Sequence, residues 1–468
     1  MITLQMLQDV GTDENKRIDF VANVIESHKA SDDYKYALIA QDYDRRRNTT
    51  ITNYRKLLYT ISGDAVPDNY SANYKLTSNF FNRLVTQQNQ YLLGKGVKFK
   101  NDTTKGKLGE DFDTRLQEAG HFALVDKVAF GFWNLDRLQI FRFTQFAPIW
   151  DEINGALSAG VRFWQIDSTK PLRATLYEID GYTDYIWQDG KGEILHPKTP
   201  YKLKVRGSEI DGDEIYDGEN YPAFPIVPLW ANSQKQSELV GIRESIDCYD
   251  LIKSGFANDI DDASLIYWTI SNAGGMDDLD LAKFVKRIKT VKAAAIEDDG
   301  ARAEAHTLDV PYNSREALLE RISADIYDDF MGLDYRRIAG GAVTATQVKA
   351  NYEPMNLKSS QYEYCVIDFV QGILAIAGID DTPIFETSPL VNTSEEIQVI
   401  LQAAQFLPQN YVTEKILTLL GDVDKVSDIL QQMEDEMAER MERMEMISSG
   451  GSGTQGDGQE TENAGETD

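Results

Sequence analysis

The stretch SELVGIRESIDCYDLIKSGFANDIDDASLIYW, residues 237–268, decides how this chain is built. Leu239, Ile242, Ile246, Tyr249, Ile252, Phe256, Ile260 and Ala263 recur at steps of three and four, which stacks them along one side of a helix. Glu238, Arg243, Glu244, Asp247, Asp250, Lys253, Asp259 and Asp262 make up its charged side. One helix over the whole stretch would be about 45 Å long, more than a single small domain needs. A second stripe within residues 314–332, formed by Leu318, Leu319, Ile322, Ile326, Tyr327, Phe330 and Met331, predicts a return helix. The chain is expected to run out along one rod and back along another.

Toward the N-terminus, residues 14–63 read as helical through Ile18, Val21, Val24, Ile25, Tyr34, Ala37, Leu38 and the pair Leu57 and Leu58. Arg45-Arg46-Arg47 fits a solvated helix end, with a phosphate or partner contact as the alternative. Leu76, Phe80, Leu84, Tyr91 and Leu92 predict a helix over 73–93 that stops at Gly94 and Gly96. Gly94-Lys95-Gly96 lacks the spacer and the Lys-Ser/Thr pair of a P-loop, so it reads as a cap and turn. After a helix near 108–126 the period falls to two in RLQIFRF, GVRFWQI, RATLYEI, TDYIWQD and YKLKVRG, separated by turns such as Asp180-Gly181 and Asp189-Gly190. Five of the six tryptophans lie between 133 and 230, so this α+β body has a sheet with an apolar face. Asp211, Asp213, Glu214 and Asp217 fit a solvated turn, since Ile215 stands where a calcium loop needs a ligand.

Toward the C-terminus, residues 265–311 predict a strand, a helix and two further strands between the rods, a small unit with its own docking surface. The pattern breaks over 334–345, DYRRIAGGAVTA, where Gly340 and Gly341 free the backbone and Thr344 or Thr346 can cap the next helix. That helix is expected over 346–377, kinked at Pro354. Thr393-Ser-Glu-Glu396 has capping-box form and opens helices near 394–406, 412–420 and 424–446. The last carries Val426, Ile429, Leu430, Met433, Met437, Met441 and Met444 on one stripe, read as packing. Residues 448–468 are expected to be disordered.

Composition limits the chemistry. The 468 residues carry 76 acids against 47 bases, a net charge of −29, which disfavours coating nucleic acid. Cys248 and Cys365 sit on predicted apolar helical faces and point to a reducing compartment without disulfides. The start MITLQMLQDVGTDENKR is not a secretory leader and no run of eighteen apolar residues occurs, so a soluble cytoplasmic protein is expected. His28, His121, His196 and His306 are scattered, and HExxH, CxxC, Gly-x-Ser-x-Gly and Walker motifs are missing. The expectation is a protein without enzymatic activity, metal or cofactor.

The run YPAFPIVPLWANSQKQSELVGIRESIDCYDLIKSGFANDIDD, residues 221–262, resembles the signature of portal proteins of long-tailed phages, with Ile246, Asp247, Tyr249, Ser254, Asn258 and Asp259 at the family's places. NYKLTSNFFNRLVTQQNQYLLGKGVKF resembles the same family. The resemblance covers roughly residues 35–445. It implies an α+β, mostly helical portal fold: a wing over 1–236 (helical 14–126, β-rich 128–230), stem helices over 237–268 and 312–333, a clip over 265–311, a tunnel loop over 334–345, a kinked helix over 346–378 and a helical crown over 379–447. It implies stem residues Asp247, Tyr249, Asn258, Asp259, Ile326 and Phe330, tunnel-loop residues Arg336, Arg337, Gly340, Gly341 and Thr344, and clip docking residues Asp277, Lys283, Lys286 and Arg287. Arg336 and Arg337 are candidates for phosphate contacts, with pairing to Asp334 or to acids of a neighbouring subunit as the alternative. The implied assembly is a ring of about twelve copies at one capsid vertex of the virion, put together in the host cytoplasm. Double-stranded DNA would pass through it, and its partners would be the terminase large subunit, then head-completion or tail adaptor proteins, with capsid and scaffold proteins around and no membrane. A cytosolic rod-like scaffold or adaptor is the rival reading.

Overall fold

In the computed structural model, which describes residues 2–59, 63–67, 73–101, 103–208, 214–263, 267–271, 302–306, 312–336, 345–387, 393–420, 422 and 425–449, the N-terminal part is four helices with side-chain caps on three. These are α1 (Leu4–Val10), α2 (Glu14–Ala30), α3 (Asp32–Asp44) and α4 (Thr49–Asn53). Asp13, Ser31 and Asn48 accept from backbone N–H groups in the first turns of α2, α3 and α4, where no helical partner exists. The helical reading fails beyond Asn53: β1 (Leu57–Tyr59) pairs antiparallel with β2 (Ala65–Pro67). Arg45, Arg46 and Arg47 follow the end of α3 and are exposed.

Next come α5 (Phe80–Leu93), β3 (Lys98–Phe99), α6 (Thr103–Leu108) and α7 (Phe112–Asp126); α7 is the helix expected near 108–126, and the short α6 before it was not expected. Gly94 caps α5, and Gly96 takes φ 73° where an added Cβ would lie 2.4 Å from an Asp113 carboxylate oxygen. The strands β4 (Val128–Asn134), β5 (Arg137–Arg142), β6 (Phe146–Trp150), β7 (Leu157–Trp164), β8 (Leu172–Glu178), β9 (Gly181–Gln188), β10 (Lys191–Thr199), β11 (Lys202–Ser208), β12 (Glu214–Glu219) and β13 (Ile226–Trp230) follow. They form a five-stranded antiparallel sheet β10-β9-β8-β7-β6, a three-stranded sheet β13-β4-β5 and the hairpin β11-β12. Sequence alternation named β5, β7, β8, β9 and β11 and did not name β4, β6, β10, β12 and β13; it missed β4 because residues 128–133 are all buried, on both faces of the strand.

The first rod is α8 (Arg243–Ala263), then β14 (Tyr267–Ser271), which pairs with β15 (Arg302–His306), and the return helix α9 (Tyr312–Phe330). The thirty-residue helix expected over 237–268 is therefore shorter at both ends. Gly241 at φ 92° cannot sit inside a right-handed helix, and the Ser237 hydroxyl is bonded to the Val125 carbonyl at 2.6 Å. The long helix α10 (Ala345–Ala377) runs through Pro354, which is exposed on it, and β16 (Pro383–Ile384) returns to pair with β3. One core unites α3, α5, α7, the three-stranded sheet, the start of α8, the end of α9 and α10; Phe81, Leu84, Phe130, Ile246, Phe330, Tyr362 and Phe369 belong to it. A second core packs Leu7, Val21, Val24 and Ile25 of α1 and α2 against Ile149, Val161, Phe163, Leu176 and Tyr185 of the large sheet.

These elements lie in one compact unit, residues 1–343 with 347–388; a second unit comprises residues 344–346 with 389–468. Its helices are α11 (Thr393–Ala403), α12 (Gln409–Leu420) and α13 (Val426–Ser449). The methionine stripe of α13 packs only at its start, where Thr413 of α12 meets the Met433 sulfur at 3.8 Å; Met437, Met441 and Met444 are exposed.

His28 lies edge-on against Tyr34, Phe143 and Phe163, with Nε2 2.8 Å from the Phe143 carbonyl. Burial pushes its pKa down to about 4 from 6.5. A depressed imidazole gives its full stability above 6.5 and loses it as pH falls toward 4, because the unfolded chain takes up the proton first. Wild type should lose about 3 kcal/mol more than His28→Gln between about pH 7 and pH 4, measured by urea unfolding at each pH.

Candidate functional site

The side of α8 that the sequence marks as charged is where the structure concentrates its polar bonding. Tyr74 N donates to Asn258 Oδ1 at 2.6 Å, Leu76 N to Ser254 Oγ at 3.0 Å, and Ser78 N to Asp250 Oδ1 at 2.8 Å. Four residues of helix advance about 6 Å. Two residues of extended chain advance about 6.6 Å. Side chains at i, i+4 and i+8 therefore match alternate N–H groups of an extended segment running the other way. This is why residues 73–79, expected as helix from their apolar spacing, lie extended as a strap along α8.

Below the ladder is a buried polar node. Asn48 Nδ2 donates to the other Asp250 oxygen at 2.9 Å, while Asn48 Oδ1 caps α4 and accepts from Tyr43 at 3.1 Å. The single Tyr43 hydroxyl proton is shared between Asn48 Oδ1 and Asp247. Burial raises the Asp250 pKa, against the hydrogen bonds that favour its charge, and burial with Asp247 pushes Tyr43 up to about 12. Sequence reasoning placed Asp250 on the charged side of the helix. It is fully buried, and the spacing Asp250, Ser254, Asn258 along one stripe was the available signal.

On the opposite side of α8 lies α9. Phe256 meets Tyr312 edge-on at 5.7 Å and Asp259 pairs with Arg315. Tyr249 packs perpendicular to Phe80 at 5.0 Å, and Phe80 in turn meets Tyr327, near Ile326 and Phe330 in the core. Lys358 of α10 ties the base together: its Nζ lies 2.5 Å from Glu238 Oε2, donates to the Phe330 carbonyl at 2.8 Å and sits 3.3 Å from the Phe330 ring centre. Burial lowers the Lys358 pKa and Glu238 opposes the shift. Glu238, which the sequence also put on the charged side, is largely buried.

The expected stem residues Asp247, Tyr249, Asn258, Asp259, Ile326 and Phe330 thus converge on one helix pair and its supports. Arg336 forks onto Asp334 at 3.0 Å through each of two nitrogens and reaches Ser323 at 2.8 Å. Arg337, Gly340, Gly341 and Thr344, and the clip residues Asp277, Lys283, Lys286 and Arg287, lie outside the described residues. Cys248 is exposed, off the apolar stripe that sequence reading gave it, and Cys365 is half-buried. Among the described residues no helix is long and apolar enough to cross a membrane.

The family model for phage portal proteins of the SPP1 Gp6-like type matches residues 36–445, and the chain belongs to this family. It is 25% identical over 271 residues to a portal protein of Clostridium phage phiCD119, covering 56% of this chain and 58% of the relative. It is 20% identical over 368 residues to the portal protein of Bacillus phage SPP1, covering 70% of this chain and 65% of that one. The match thus spans less than two thirds of either relative. Among solved structures, a chain from the neck of an empty gene transfer agent particle, computed with C6 symmetry, is similar at 11% identity and TM-score 0.43, over 73% of this chain and 90% of that one. A chain from the neck of the native particle, computed with C12 symmetry, is similar at 10% identity and TM-score 0.40, over 71% and 87%.

Two outcomes test the site. Ser254→Ala and Asn258→Ala should each cost about 1 kcal/mol and speed hydrogen exchange at the Leu76 and Tyr74 amides respectively, leaving amides of the large sheet unchanged. Lys358→Ala should cost about 3–5 kcal/mol in urea unfolding by stranding Glu238, and Lys358→Met with Glu238→Leu should recover most of it.

Proposed function

We propose that the chain forms a closed cyclic ring of about twelve copies, set at one capsid vertex of the virion, whose central channel passes double-stranded DNA during packaging and ejection. The observation that carries this reading is the family match over residues 36–445. In it α8 and α9 line the channel as stem helices, the residues between β14 and β15 form the clip that docks the terminase large subunit and then a head-completion or tail adaptor, and residues 334–345 form the tunnel loop. An acidic wall repels phosphates and lets a duplex slide, whereas a basic one would bind and brake it. The net charge of −29 favours sliding. Arg336 and Arg337 beside Gly340, Gly341 and Thr344 are assigned to phosphate contact; Arg336 must release Asp334 to make it. Asp277, Lys283, Lys286 and Arg287 are assigned to docking, and α11–α13 to the crown. ATP for packaging is hydrolysed by another chain, and the role asks for no metal or cofactor.

Mass measurement with negative-stain imaging of the purified chain should give closed rings of about twelve subunits with a central hole. Deleting residues 275–305 should keep the rings and abolish terminase binding. Elongated dimers in place of rings would instead support a rod-like adaptor.

A further inference from the structure

One surface of this acidic chain is strongly basic. Arg45, Arg46 and Arg47 follow α3, Arg55 follows α4, and Lys75 lies in the strap. The fold gathers them: Thr77 of the strap donates to the Arg46 carbonyl at 3.3 Å, and Lys75 donates to the Thr52 carbonyl. All five are exposed. Among the described residues the four arginine side chains make no hydrogen bond, ion pair or ring contact, although the chain has 29 more acids than bases. No acid among the described residues forms an ion pair with these four arginines.

The patch also has a defined direction. Asp250, Ser254 and Asn258 hold the strap on one side of α8, while Phe256 and Asp259 hold α9 on the other. At 100° per residue the two sets point roughly 170° apart. Strap with arginines, α8 and α9 therefore lie in sequence across the subunit. The far element, α9, exposes Glu316, Glu320, Asp328 and Asp329 against one exposed base, Arg321, which pairs with Asp325, so its exposed charge is net acidic. Unlike charges on opposite flanks are what a head-to-tail contact requires, because each copy presents one flank to the preceding neighbour and the other to the next.

We infer that the Arg45-Arg46-Arg47 and Arg55 patch of one copy docks on the acidic surface of α9 in the next copy and sets the register between subunits. The inference rests on the ring reading above. Exposed pairs add little affinity one by one, so their weight lies in orientation, encounter rate and salt dependence.

The test compares wild type with Arg45→Glu/Arg46→Glu/Arg47→Glu, with Glu316→Lys/Glu320→Lys/Asp329→Lys, and with all six changes in one chain. Circular dichroism checks the fold and particle mass is read across a salt series. Each single-flank reversal should raise the concentration needed for half-assembly by about tenfold or more. The six-fold reversal should restore rings, which a merely misfolded variant could not do. Wild-type assembly should weaken with salt. Undiminished rings in either single-flank variant, or no recovery in the combined one, overturn the contact while leaving the ring reading intact. If rings persist in the arginine variant and only duplex DNA retention falls, the patch faces a polyanion and the contact is overturned. Wild type that remains monomeric at every salt concentration overturns both readings.

Discussion

The match between helical and extended rise is the constraint on which the helix pair α8 and α9 depends. Asp250, Ser254 and Asn258 stand one turn apart on α8 and meet alternate amides of the strap at residues 78, 76 and 74. A helix of this length whose polar side faced only water would gain little from burial along that side. Bound by the strap on one side and by α9 through Phe256 and Asp259 on the other, it is held on two opposite flanks. The ladder also accounts for backbone N–H groups that would otherwise depend on water.

The same economy of buried polar groups appears where the helices enter the body. Asp250 has both oxygens engaged, by Ser78 and by Asn48, and Asn48 itself caps α4 and accepts from Tyr43. Lys358 places one cation between Glu238, the Phe330 carbonyl and the Phe330 ring, so segments distant in sequence share a single charge. Such groups contribute little net stability but penalise any arrangement that strands one of them. The result is a specified junction between the body and the two long helices.

Much of this was legible in residue spacing. The 3.6 period gave two antiparallel long helices, the period of two gave five of the ten strands from β4 to β13, and Gly94 with Gly96 gave the end of α5. Spacing failed where one residue type serves two environments. Leu57 and Leu58 fit a helical stripe but pair in a hairpin; Leu76 fits a helix but lies in the strap; residues 128–133 show no alternation because both sides of β4 are buried. Of the candidate site, Asp247, Tyr249, Asn258 and Asp259 were named from sequence, while Asp250, Glu238 and Lys358 were not, since a buried acid and a solvated one look alike in a helical repeat.

The sequence alone determined the class of the chain: the order of helical and strand periods along it, its acidity and its family signature are one-dimensional patterns that need no partner to be read. Only the tertiary structure decided which charged side chains are structural and which are free. Burial and pairing depend on what distant segments bring, as Ser78 does for Asp250 and Lys358 does for Glu238. It also decided that Arg45, Arg46 and Arg47 form one surface with the strap on the flank of α8 opposite α9, because the extended path of residues 73–79 is set by the side chains of a helix nearly two hundred residues away.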